Sequence, residues 1–273
     1  MASPVFSNAK EFKSDPLLAQ TSTADLERQY QQPAGTPGYV AEERMSYTGV
    51  INKTTGLVLL TFVMGAVGYV TVADSPSVML AALGAGIVAF VIGLVAAFKR
   101  TPGPALVGIY AVAEGFFLGA ISIAIEQQFD APGAALQALV ATAITFMVCL
   151  WLYRSGKVRY TSKLRKIFLI GGISYLLFSL ANLGYMIFSP DSGAFGWRTD
   201  VEIFGLPLGV VIGAVAILLA CISLIGDFDF IENGVKSGQP KKLEWKAAFG
   251  LLVTLVWLYI EFLRIIAILS GRD

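Results

Sequence analysis

The chain contains no histidine. That absence removes a histidine general base, a Ser–His nucleophile pair, an HExxH zinc site and His-ligated haem. It also removes the side chain whose charge ordinarily changes near neutral pH, so any proton sensing falls to carboxylates. Charge is scarce as well. Asp, Glu, Lys and Arg make up 14% of the residues against 56% hydrophobic, and the mean hydropathy of +0.70 lies outside the soluble globular range. The two cysteines, Cys149 and Cys221, sit inside apolar runs where a thiol behaves as a small hydrophobe, so no disulfide is expected. The first 45 residues hold no apolar stretch behind a basic start, and no secretory signal is expected.

What fills the chain instead is apolar sequence. Seven runs of about 18 to 24 residues follow residue 55, and about 20 such residues cross a bilayer core as a helix. The spans are expected near 55–73, 78–98, 104–125, 133–153, 167–188, 203–226 and 247–269, so the fold class is an all-α membrane protein. Breakers separate them: Asp74-Ser75-Pro76, Thr101-Pro102-Gly103-Pro104, Ala131-Pro132-Gly133 and Ser189-Pro190-Asp191. Trp151, Trp197 and Trp245 fall at expected interfaces. Residues 1–45, rich in Gln, Pro and Ser, read as a disordered, solvent-exposed arm ahead of a transmembrane domain over 46–273.

The basic residues are distributed unevenly. Connections after the second, fourth and sixth spans carry Lys99 and Arg100, then Arg154, Lys157, Arg159, Lys163, Arg165 and Lys166, then Lys236, Lys241, Lys242 and Lys246. The other three carry only Arg198. The positive-inside rule places the basic loops and the N-terminus in the cytoplasm and the C-terminus outside, in a plasma or inner membrane. Such loops touch anionic lipid heads more readily than nucleic acid, and no nucleic-acid partner is expected.

Within the spans a charge is costly, roughly 2.5 to 3.5 kcal/mol at the bilayer centre, and usually faces an interior or a water path. Glu114 lies in the third span, Glu261 and Arg264 in the outer half of the seventh, and Asp227, Asp229 and Glu232 where the sixth is expected to end. Glu261 and Arg264, three apart, can also pair on one face and neutralise each other. Acids at the negative end of a helix dipole would be relieved by a cation or a basic neighbour, and Asp227 with Asp229 is the candidate metal pair. Thr254, Trp257, Glu261 and Arg264 make one polar stripe, which places the seventh helix at the centre, surrounded by the other six. The spacings Gly115-Phe-Phe-Leu-Gly119 and Gly209-Val-Val-Ile-Gly213 mark the third and sixth helices as buried in the bundle.

Three segments carry a family resemblance: Tyr110-Ala-Val-Ala-Glu114-Gly-Phe-Phe-Leu-Gly119, Asp227-Phe-Asp-Phe-Ile231, and Leu258-Tyr-Ile-Glu-Phe-Leu-Arg264-Ile-Ile-Ala-Ile-Leu. With the span count, the chain over about 45–273 resembles the transmembrane Bax inhibitor motif family in its bacterial branch. The resemblance implies three helix hairpins around a central seventh helix, and a calcium leak that responds to pH. It implies a gate in which an aspartate ending the sixth helix, here Asp227, shares a proton with one on the seventh. This chain departs at the second position, which holds Thr254. Glu261, two turns further on, or Asp229 are the alternative acids.

The function expected is therefore a pH-responsive calcium or cation leak channel, with Asp227, Glu261, Glu114, Asp229, Thr254 and Arg264 along the pathway or gate and no cofactor. The alternatives are a proton-coupled carrier for another solute, or a membrane regulator acting through partners. Enzymatic activity is not expected. Asp227 and Asp229 are too close in sequence to supply the facing helices of an aspartate dyad, and the seventh span has no interior Lys for a retinal Schiff base.

Overall fold

The computed structural model describes residues 43–271 apart from 190–192, 194 and 204; the expected arm lies outside these residues but for 43–45. Seven helices are long and apolar enough to cross a bilayer: α1 Tyr47–Asp74, α2 Met79–Phe98, α3 Pro104–Gln128, α4 Ala134–Arg154, α5 Ser162–Phe188, α6 Leu208–Lys236 and α7 Leu243–Ser270. One further turn of helix, Trp197–Asp200, and a short hairpin of Glu202–Ile203 with Leu206–Pro207 lie between α5 and α6. The chain is an all-α multi-pass membrane protein.

The helix ends differ from the apolar runs for local reasons. α1 starts eight residues earlier than expected because the Ser46 side chain caps it, accepting from the Gly49 N–H at 3.0 Å. Thr161 does the same for α5 through the Leu164 N–H at 3.3 Å. α6 starts later, at Leu208. Pro207, expected inside the span, stands at its N-cap with extended backbone, and the hairpin takes the preceding residues. At its other end α6 does not stop at Gly226. Phe228 and Ile231 still face the core, and the helix runs to Lys236, with Gly238 beyond it in the left-handed region at φ +64. The acids Asp227, Asp229 and Glu232 are therefore inside the helix. The expectation that they end it is corrected, and the dipole argument does not apply to Asp227.

α7 is central. It packs against α6, α4, α1, α3 and α2, and α5 reaches it through the Tyr175 side chain. In the most apolar 18-residue stretch of each helix, 56% of α3, 50% of α7 and 39% of α6 is buried, against 6 to 17% elsewhere. The burial expected of α3 and α6 is thus observed. On α3, Gly115 and Gly119 lie against the backbone of α1 at Thr61 and Gly65, an approach that leaves no room for a Cβ at Gly119. On α6, Ile268 and Ile265 of α7 occupy the space beside Gly209 and Gly213.

Two apolar clusters flank α7. Its Ala247, Leu251 and Leu258 meet Leu224, Ile225 and Phe228 of α6 with Cys149 and Tyr153 of α4. Its Ala248, Phe249, Leu252 and Val256 meet Tyr110, Ala111 and Leu118 of α3 with Leu57 of α1. The Cys149 and Cys221 thiols are both free. Large side chains on the outer helices, such as Phe90 and Ile170, are exposed, as lipid contact requires.

The end of the bundle bearing the basic loops is stitched together. Met45 N–H donates to the Gln239 carbonyl at 2.7 Å and Lys241 N–H to that of Glu43 at 2.6 Å, pairing 43–45 antiparallel with the α6–α7 loop. The Glu43 carboxylate also pairs with the Lys241 ammonium and holds it above its usual range. Glu244, fully buried, takes Ser46 N–H at 2.9 Å and an ion pair with Lys53.

Candidate functional site: a polar seam along α7

Thr254, Trp257, Glu261 and Arg264 lie at i, i+3, i+7 and i+10 and share the face of α7 turned to α5 and α6. Midway along the helix the Thr254 hydroxyl donates to Asp227 Oδ2 of α6 at 2.8 Å, with Ser223 Oγ at 3.3 Å. The Gly250 carbonyl also stands 3.1 Å from Thr254 Oγ1, so the one hydroxyl proton has two acceptors. Gly250 leaves space beside Asp227, since a Cβ there would stand 3.1 Å from Oδ1.

Two turns on, about 10 Å by the helical rise, a second cluster surrounds Glu261, which is 1% exposed. Arg264 Nη1 donates to its carboxylate oxygens at 3.0 and 2.8 Å, and the Tyr175 hydroxyl donates to Oε1. Arg198 Nη1 lies 3.9 Å from Oε2, while its Nη2 reaches the Tyr175 hydroxyl at 3.1 Å and Ser179 Oγ at 3.0 Å. Arg198 is 4% exposed and lies over the rings of Tyr175 and Phe178 at 5.2 and 5.3 Å. Two guanidiniums thus share one carboxylate, an excess of one positive charge. Arg198 Nη1 and Trp257 Nε1 are buried donors without a hydrogen-bond partner among the described residues, an arrangement that calls for water.

The other expected residues divide. Glu114 is buried on α3 but stands on the Tyr110 and Phe249 side of α7, and no hydrogen bond or ion pair holds it among the described residues. None joins any two of Glu114, Asp227 and Glu261 either. Asp229, two residues from Asp227, points about 200° away around the helix and accepts from Asn233 at 2.9 Å. The expected stand-in or metal pairing of Asp227 with Asp229 is therefore corrected. Among the described residues no group of three His, Cys, Asp or Glu is placed to hold a metal ion. The acid-to-acid contact is replaced by the Asp227–Thr254 bond.

A sequence model of the family described as Bax inhibitor 1 like matches residues 3–271. The chain belongs to that family. No curated protein gives a significant match. The family match extends ahead of α1, further than the 45–273 over which the sequence motifs lie.

Three groups escaped the sequence reading. Arg198 stood out only as the lone basic residue of its set of loops. Glu126, at the end of α3, accepts from the Tyr69 hydroxyl and from Ala135 N–H in the first turn of α4, both at 2.7 Å, a carboxylate satisfying a helix N-terminus. Glu244 hid among the lysines of a loop. Glu232 pairs with Lys236, Arg159 and the Tyr153 hydroxyl, and its bond holds the Arg159 guanidinium above its ordinary value.

Proposed function

We propose that this family member is a pH-responsive cation leak, with calcium as the transported ion, and that the α7 seam is its pathway held closed at two points. The observation that carries the reading is the Asp227–Thr254 bond, which places a carboxylate between two of the three most interior helices. Hard cations take oxygen ligands, and Asp227 with the Thr254 and Ser223 hydroxyls supplies three oxygen-bearing side chains at one level. At the second point, Glu261 is neutralised by Arg264, and the excess charge of Arg198 repels a cation. Opening then requires Arg198, carried on the Trp197–Asp200 turn, to leave Glu261.

The pH response follows from Asp227. Ionised, it accepts from Thr254; protonated, it donates to Thr254, whose own proton turns to the Gly250 carbonyl. The bond survives in both states, so protonation changes the charge of the pathway without dissolving the contact. A shared-proton acid pair loses its bond when the proton leaves. The response here is accordingly shallow. Glu114 stands apart from the seam and takes a lesser part. The basic loops and N-terminus face the cytoplasm of a plasma or inner membrane, by the same charge rule, and no catalysis is assigned.

The test is calcium efflux from proteoliposomes at a fixed pH for wild type beside Asp227→Asn, Glu261→Gln and Glu114→Gln. The first two alter the flux and the third changes it least. Equal flux in all four removes the seam as the pathway. Saturable uptake of a small solute that collapses with the proton gradient would replace the leak by a carrier.

A further inference from the structure

On the side of α7 away from the seam, α1 and α4 stand apart along most of their length, both packed on α7. Between them lies a groove of about 1480 Å³, open to the membrane side and floored by α7 and α3. Asp227, Thr254 and Glu261 do not line it. It runs from Tyr47 to Val70 on α1, about 34 Å by the helical rise, which is enough to cross the core of a bilayer. Through the middle its walls are mostly apolar, among them Val58, Phe62, Leu139, Phe146, Leu252 and Val256, with the Thr61, Thr142 and Ser122 side chains between them. Small residues on facing walls, Ala66 and Ala143, keep it open.

The two ends differ in charge. At one, Tyr47, Tyr153, Arg154, Arg159 and Glu232 close the groove. The Glu232 charge there is already matched by Arg159 and Lys236. Arg154 is exposed and makes no ion pair among the described residues, and Lys157 beside it lies over the Trp151 ring at 5.0 Å. This end carries surplus positive charge at the level where lipid head groups lie. At the other end the groove meets Glu126, a buried carboxylate with no cation on it among the described residues. A negative head group is drawn to the first end and repelled from the second.

We infer that the α1–α4 groove is a binding site for an anionic glycerophospholipid of the leaflet at the basic end. Its acyl chains lie along Val58, Phe62 and Phe146, and its phosphate is on the Arg154 guanidinium. A guanidinium meets a phosphodiester with two parallel N–H···O bonds, which a zwitterionic head group shields with its own ammonium. The inference is independent of the ion pathway, because it uses the opposite face of α7.

The test uses the full chain purified in detergent, titrated with dioleoyl phosphatidylglycerol or dioleoyl phosphatidylcholine, with bound lipid counted by native mass spectrometry. Wild type holds the anionic lipid about fivefold more tightly, from one basic contact at the head group. Arg154→Gln, a change at an exposed side chain, abolishes that preference and leaves the weaker retention common to both lipids. Ala143→Trp on one wall and Ala66→Trp on the other each fill the groove and remove retention of both lipids, with helical content unchanged by circular dichroism. Equal affinity of wild type for the two lipids overturns the inference. So does full retention in both tryptophan variants, which would place the lipid on the basic surface alone. A dimer that forms through the groove and excludes lipid at all concentrations overturns it as well.

Discussion

Replacing Glu261 by Gln keeps the side chain's size and removes its charge, leaving Arg198 buried and Arg264 half-buried around a neutral amide. In the native seam the carboxylate holds Arg264 at 2.8 Å, takes the Tyr175 hydroxyl, and stands 3.9 Å from Arg198. Removing one partner of a buried ion pair costs about 3–5 kcal/mol, because the remaining charge is left without compensation. Here two guanidiniums are left, Arg198 buried and Arg264 partly exposed, so the whole of that range applies. Arg198→Gln is a milder change. It leaves Glu261 and Arg264 as a neutral pair and forfeits bonds to Tyr175 and Ser179, for about 1–2 kcal/mol. At about 2–4 °C per kcal/mol for a chain of this size, thermal unfolding in detergent should drop by roughly 6–20 °C for Glu261→Gln and by roughly 2–8 °C for Arg198→Gln. The double variant Glu261→Gln with Arg264→Gln should fall short of the summed single effects by more than about 1 kcal/mol, the signature of direct coupling. Equal shifts for Glu261→Gln and Arg198→Gln, or additivity in the double variant, would refute the charge count at this cluster.

Other consequences are less involved. Gly119→Leu drives a side chain into the Gly65 backbone of α1 and should cost about 1–3 kcal/mol or more, whereas Gly184→Ala on α5, where a Cβ meets nothing, should be neutral or gain up to about 1 kcal/mol. Melting curves of the two separate close packing from helix propensity. Thr254→Asp places two carboxyls in contact and should turn a shallow pH profile of calcium flux into two steps, while Thr254→Val should leave it single. Glu232→Gln breaks a partly exposed network of Arg159 and Lys236 and should lower the melting temperature less than Glu261→Gln does, an effect that fades further at high salt.

Hydropathy and the polar stripe of α7 disclosed most of the architecture, because in lipid an apolar run must be a helix and a stripe containing Glu261 and Arg264 must face protein. The helix ends were hidden. Ser46 caps α1 outside its apolar run, and α6 continues past Gly226, which is small because the Tyr160 ring lies against it. The site was half legible. Glu261 with Arg264 is a local pair, three residues apart. Tyr175 and Arg198 join it from 86 and 63 residues away in sequence, a closeness that only packing creates. Asp227 and Asp229 looked like a pair in sequence, and helical geometry turned them apart.

The account stands most directly on how calcium efflux varies with pH in wild type and in Asp227→Asn, in proteoliposomes of one lipid composition. We expect a single, shallow transition in wild type that becomes flat when residue 227 cannot ionise. Superimposable profiles for the two proteins would contradict the assignment of Asp227 as the titrating group of the pathway.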